Sequence, residues 1–305
     1  MITQIPNRKA SKSIIFQEPL IAIFALPLIF GVLVVSVVPT LLAMFTAFTD
    51  LELGLNLAWH WVGLKNFQNA LTNPLFLSSF RIGTIWALAV TALSMILGFT
   101  LALLIERGKW YSPILKMLGI FPWALSPVIV AIIWSILLNP NSGPINGWLR
   151  KFGLPGGNIN ILGDFNLALP AVIVIGAWIG IPVMTVTFIA SLKTISREAI
   201  EAALIDGATS YQRMRYLLIP HMRPIITALF ALNIIWNFNS FGLIYVLTSG
   251  GPGGKTYVPA LFVYDESFKY GNFGYASAMG IIITVALVLV LGVYVFARNR
   301  GEVEA

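Results

Sequence analysis

The sequence predicts an all-α polytopic membrane protein with six transmembrane helices and both termini in the cytoplasm. Three observations predict it. Hydrophobic residues make up 58% of the 305 and charged residues only 10%, whereas soluble globular domains carry about 25% charged residues. Six apolar stretches each reach the roughly 20 residues that a bilayer core of about 30 Å requires. Lys and Arg are shared unequally between the segments that join them: four segments hold thirteen of the 19, and the other three hold six.

The first stretch, Leu20 to Phe48, follows Arg8, Lys9 and Lys12. It is about twice the length of a signal-peptide core and has no convincing cleavage site, so it is expected to be a retained anchor, kinked by Pro27 and Pro39. Beyond it, Leu64, Phe67 and Leu71 recur at helical spacing beside Trp59 and Trp61. That pattern predicts a short helix at the membrane interface. The second stretch is Ile82 to Ile105, with Arg81 expected to snorkel at its mouth, and the third is Ile114 to Leu138. "NPNSGPINGWLRKFGLPGGN" follows, rich in turn formers and expected to need no regular structure. Its length marks a functional loop or a partner surface. The remaining stretches are Leu167 to Leu192, Ile225 to Thr248 and Tyr275 to Ala297. The chain divides into an N-terminal tail (1–19), a transmembrane domain (20–297) with a long loop at 193–224, and a C-terminal tail (298–305). The two tails, Glu106 to Lys116 and Lys193 to Pro224 are the basic segments, and this places them in the cytoplasm.

Several function classes are excluded or disfavoured. There are no cysteines, hence no disulfide, thiolate metal site or Cys nucleophile. His60 and His221 stand far apart without a metal-binding helix pattern, so no metal site is expected. The net charge of +7 lies on cytoplasmic segments, which argues for membrane orientation and against a nucleic-acid partner. "SGGPGGKT", Ser249 to Thr256, superficially suggests a phosphate-binding loop, but its glycine spacing is wrong and Pro252 has no N–H to donate. No span has an ionisable residue in its interior. This disfavours a proton or sodium path and, more mildly, an anionic solute. Asp265 and Glu266 are adjacent acids, as a membrane enzyme would need, and a solvated turn is the expected explanation of them.

The loop at 193–224 carries the densest signals. Ser196 suits an N-cap, Glu198 lies in the first turn, and Gly207 can end the helix in a left-handed conformation. A second helix is expected after Thr209 or Ser210, stopping at Pro220. The two would form a cytoplasmic lobe that either packs on its own bundle or meets a partner. The fifth stretch is unusually polar: Asn233, Asn237 and Ser240 share a face, with Trp236 and Asn239 close by. Amides for hydrogen bonding and an aromatic surface for stacking suit a sugar. Asn and Ser that join helices to each other give the same pattern.

"EAALIDGATSYQRMRYLLIPHMRP" resembles the EAA signature of the permease subunits of binding-protein-dependent ABC importers. Glu201, Ala202, Ala203, Asp206, Gly207, Ala208 and Pro220 fall on the pattern; Met214 and Ile219 replace the usual Phe and Leu. "WVGLKNF", "FPWALSPVIVAIIW", "NPNSGPIN", "YVLTSGGPGGKT" and "YASAMG" are similar to the sugar-type permeases, which import di- and oligosaccharides and glycerol phosphates. The resemblance implies a type I ABC importer permease fold in a bacterial or archaeal plasma membrane. It implies that those seven residues couple the chain to a dimer of separate ATPase subunits, which bind ATP and Mg so that this chain needs no cofactor. It implies a second, non-identical permease and an extracytoplasmic solute-binding protein that meets Gly250, Gly251 and Pro252. Asn233, Trp236, Asn237, Asn239 and Ser240 would then lie on the sugar's path. The alternatives are an ion-coupled secondary transporter of a neutral solute and a glycerol-phosphate importer permease.

Overall fold

The structure, a computed structural model, describes residues 19–53, 59–154 and 156–303; the basic N-terminal tail lies outside them. Among the described residues, five helices are long and apolar enough to cross a membrane, or six if a bent pair counts as one span. The elements run in chain order. α1 (Pro19–Val32) and α2 (Val38–Thr46) form the first span around a π-turn at Leu33–Val37. Pro39 opens α2 just after that turn, whose wider ring leaves space for the pyrrolidine. α3 (Lys65–Thr72) is the expected short helix. α4 (Pro74–Glu106) is capped by the Asn73 side chain, which accepts from the amides of Leu75 and Phe76.

α5 (Ser112–Ile120), a 3-10 turn at Phe121–Ala124 and α6 (Pro127–Leu137) make the third span, bent by 106° rather than straight. Pro122 and Pro127 flank the break; each removes an amide from the helical ladder. α7 (Pro144–Lys151) occupies the loop expected to be irregular. It forms because Arg150 donates to the carbonyls of Pro140 (2.7 Å) and Gly157 (2.9 Å), which closes the loop around one turn-rich segment. α8 (Ala168–Leu192) leads to α9 (Arg197–Ile205) and α10 (Ser210–Arg213). α11 (Ile219–Phe238) then continues α10 through a π-turn at Met214–Leu218. The helix therefore does not stop at Pro220: as at Pro39, a π-turn comes first and the proline sits in the first turn after it. α12 (Gly242–Thr248), α13 (Pro259–Tyr264) and α14 (Phe273–Val303) complete the chain. α14 carries on through Arg298 and Arg300, so the described part of the expected C-terminal tail is helical.

α4 and α8 are the central pair. Small residues carry their contacts: Gly180 on α8 meets Ser94 on α4, Gly176 meets Trp86, and Gly98 on α4 meets Ile181, Met184 and Thr185. Small residues let backbones approach closely where burial of apolar surface gives no drive. The Ser94 hydroxyl donates to the Ala177 carbonyl at 3.1 Å. A Cβ on Gly98 would lie 2.4 Å from Cβ of Met184, so no larger residue fits there. Phe76, Trp86, Val90, Val172 and Ile175 fill the core around this seam.

α3 lies as a helix at an interface would, one face on the protein and its leucines outward. Leu64 and Leu71 are exposed, while Asn66 and Ala70 are buried. The Asn66 amide donates to the carbonyls of Ala47 (3.0 Å) and Thr49 (2.7 Å), groups left without helical partners where α2 ends. Leu64 and Leu71 are left for the bilayer boundary.

Candidate functional site

Two broken spans face the same cleft. α11 unwinds at Asn239–Phe241 before α12 resumes, and the third span breaks between Ala124 and Pro127. Irregular backbone at membrane depth is tolerated where it lines a cavity rather than lipid. The cleft has a volume of about 460 Å³. All five residues singled out in the fifth stretch, Asn233, Trp236, Asn237, Asn239 and Ser240, line it. Ser240 lies beyond the helix end, so it reaches the cleft through the break and not through helical spacing.

The polar groups are held in defined orientations. The Asn233 amide donates to the Leu229 carbonyl at 3.0 Å, and that of Asn239 to the Ile235 carbonyl at 3.0 Å. The Asn237 amide reaches Oγ1 of Thr91 on α4 at 3.1 Å. Nε1 of Trp86 donates to the Asn237 backbone carbonyl at 3.0 Å, one of the acceptors that the end of α11 leaves free. Trp86 is seated on Gly176, where a Cβ would come within 2.4 Å of Cη2. Trp236 is 74% exposed and Trp123, on the facing break, 61%. Trp86, Trp123, Gly176 and Gly180 were not singled out in the sequence. The prolines around Trp123 and the Gly176/Gly180 spacing carried that signal.

The lobe between α8 and α11 has the predicted termini. Oγ of Ser196 accepts from the Ala199 amide at 3.2 Å. Gly207 has φ +74°, and the amides of Gly207 and Ala208 donate to the carbonyls of Leu204 and Ala203, the paired bonds of a Schellman ending. Thr209 and Gln212 cap the next helix reciprocally. No residue of α9 is buried. Ala199, Ile200 and Ala203 are half-buried and the rest of α9 is exposed, so most of the lobe's surface is uncovered by its own bundle. Glu201, Ala202, Asp206, Gly207 and Pro220 are exposed; Ala203 and Ala208 are half-buried. At the root of the lobe, Thr194 Oγ1 lies 3.0 Å from His221 Nε2, and Glu106 pairs with Lys193 at 3.9 Å.

Gly250, Gly251 and Pro252 form a tight turn at the opposite end of the fifth span. The amides of Ser249, Gly251, Lys255 and Thr256 all donate to nearby carbonyls, so they form no inward row for a phosphate. Gly250 has φ +84° and lies against the Tyr257 ring, with no space for a Cβ. The Tyr257 hydroxyl donates to Asp265, which is buried and 4.0 Å from Lys269. Burial first, and then the Asp265 carboxylate, push the Tyr257 phenol well above its usual range. Glu266 accepts from the Asn272 amide at 2.7 Å. The solvated turn expected for Asp265 and Glu266 is thus a partly buried clamp. Among the described residues no group of His, Asp and Glu is placed to hold a metal ion.

A family model described as binding-protein-dependent transport system inner membrane component matches residues 91–300. A probable ABC transporter permease protein of Pyrococcus horikoshii is 30% identical over 285 residues, covering 93% of this chain and 97% of the relative. The trehalose/maltose transport system permease protein MalF of Thermococcus litoralis is 31% identical over 75% of this chain and 76% of its own. The sn-glycerol-3-phosphate transport system permease protein UgpA of Agrobacterium fabrum is 29% identical over 76% and 78%. Among solved structures, a chain of a bacterial alginate ABC transporter, in complex with an alginate pentasaccharide-bound periplasmic protein, has the same fold. It superposes with a TM-score of 0.81 at 20% identity, over 92% of this chain and 94% of that one.

Proposed function

The chain belongs to the inner membrane components of binding-protein-dependent transport systems and is an ABC transporter permease; from that premise we propose that it forms the translocation path of a sugar importer. The observation that carries this reading is the cleft where two helix breaks meet, walled by three asparagines, a serine and exposed tryptophan rings. Amides exchange hydrogen bonds with hydroxyls, and flat rings stack on the apolar faces of a pyranose. The names of the relatives, trehalose/maltose among them, support a carbohydrate.

In this reading the projecting lobe is the coupling element. Glu201, Ala202, Ala203, Asp206, Gly207, Ala208 and Pro220 meet a separate ATPase subunit, which holds ATP and Mg. The exposure of α9 supports it, because a capped helix with no fully buried residue has a face left for a partner. Gly250, Gly251 and Pro252 meet a solute-binding protein on the outer side, and both termini are cytoplasmic. A second, non-identical permease supplies the other wall of the path.

The test is to purify the tagged chain in mild detergent from its host membrane and identify what accompanies it by mass spectrometry. Recovery of an ATPase subunit and a second permease is expected. Recovery of the chain alone, from a preparation in which other membrane complexes survive, would favour an ion-coupled carrier.

A further inference from the structure

We propose that the cleft accepts an uncharged, hydroxyl-donating ligand and excludes anions. This deepens the sugar reading and rests on it. The relatives' names alone do not decide the point, since they include both trehalose/maltose and sn-glycerol-3-phosphate systems.

Two features of the cleft decide it. None of its lining residues is Asp, Glu, Lys, Arg or His. The amides are also not randomly presented: Asn233 and Asn239 each give an N–H to a backbone carbonyl of α11, and Asn237 to Thr91. A carbonyl cannot donate, so this fixes the amide nitrogens of Asn233 and Asn239 inward and their oxygens away from the helix. Among the described residues, no group bonds the side-chain oxygens of Asn233, Asn237 and Asn239. This chain's wall of the cleft therefore offers several unpaired acceptors, neutral donors beside them, and no positive charge. A sugar hydroxyl can donate to each acceptor. A phosphate or carboxylate finds only neutral N–H and hydroxyl donors on this wall, loses its hydration and meets no cation from this chain, which is unfavourable in a site of low dielectric.

The orientation is supported from behind the cleft. Thr91 is fully buried and Trp86 is 1% exposed, so the partners that hold Asn237 cannot move to accommodate a different ligand. Thr91 and Trp86 act as positioning residues. The exposed rings of Trp123 and Trp236 add apolar faces without charge.

The test uses the purified complex of this chain with its host partner subunits, without binding protein. It is titrated with maltose and trehalose as neutral probes and with sn-glycerol 3-phosphate and trigalacturonate as anionic ones, following tryptophan fluorescence. A saturable response to a neutral probe is expected, lost in Trp236→Phe and weakened about three- to tenfold in Asn237→Leu. A stronger response to either anion overturns the proposal. Because Asn237→Leu could disturb packing, Asn239→Lys at an exposed position provides an independent check: it should create a response to sn-glycerol 3-phosphate. No gain there means that missing charge is not what excludes anions, and overturns the proposal as well. Silence towards all four probes overturns it too, yet co-purification of an ATPase and a second permease would leave the importer reading standing.

Discussion

Trp86 and Gly176 form a contact whose energetics can be worked out in advance. In Gly176→Ala the new Cβ would lie 2.4, 3.1 and 3.2 Å from Cη2, Cζ2 and Cζ3 of Trp86. The indole is 1% exposed and its Nε1 is bonded to the Asn237 carbonyl, so it cannot swing aside. Overpacking of this kind costs about 1–3 kcal/mol. Trp86→Phe removes the Nε1–H bond, about 1 kcal/mol, and leaves a small void costing a similar amount. Independent effects would add. Here they should not, because a Phe ring stops short of the Cη2 position and the alanine methyl then fills part of the void. The double variant is expected within about 1 kcal/mol of Trp86→Phe alone, a coupling of about 1–2 kcal/mol. The assay is the thermal midpoint of the detergent-solubilised complex for all four proteins at one heating rate, since membrane complexes unfold irreversibly. A kcal/mol corresponds to about 2–4 °C for chains somewhat shorter than this one. A double variant whose loss equals the sum of the single losses would refute the packing argument.

Three further outcomes are expected. Thr91→Val keeps the shape but deprives the Asn237 amide of its acceptor, and should raise the sugar concentration for half-maximal uptake several-fold with little change in maximal rate; an unchanged curve would reduce that bond to a packing detail. Glu201 is exposed, and among the described residues it makes no hydrogen bond or ion pair. Glu201→Ala should leave the thermal midpoint alone while lowering ATP-driven uptake, and wild-type uptake in purified, reconstituted protein would remove the coupling role. The Tyr257 phenol titrates above its ordinary value of 10.0 in the fold. The stability it contributes is therefore fully present below pH 10 and lost as the pH rises beyond it. Hydrogen exchange at residues 249–257, compared just below and just above that pH, should show the loss in the wild type and a smaller one in Tyr257→Phe.

Much of this architecture could be read from the sequence because membrane segments and helix caps are local signals. Ser196, Gly207 and Thr209 each act within one turn of their own position, and each terminates or starts a helix where expected. The cleft residues of the fifth span were legible for a similar reason, since polar side chains in an apolar run are conspicuous. What escaped depends on competition between distant groups. Pro220 was read as a stop, but a π-turn upstream makes room for its ring. Asn66 is buried on α3 because carbonyls 19 and 17 residues earlier in the chain take its amide N–H groups. Trp86 and Thr91 matter through a carbonyl and an amide about 150 residues away. No local pattern encodes such a partner.

The lobe and the cleft are joined by one piece of backbone. The helix from Ser210 to Phe238 is 29 residues long, about 44 Å at 1.5 Å per residue. Its first turn belongs to the lobe, and its last turn carries Trp236 and Asn237. A tilt of about ten degrees around one end would move the other by about 8 Å over that length, more than the width of a sugar ring. What opposes such a tilt at the cleft end is the Trp86 bond to the Asn237 carbonyl, at 3.0 Å, and the Thr91 contact beside it. Input and output are thereby separable. Glu201→Ala should weaken the push while leaving the sugar response of the isolated complex intact, whereas Trp86→Phe should alter the sugar response while leaving lobe contacts with the ATPase intact. If both variants produced the same defect in both measurements, the long helix would not be acting as the link between them.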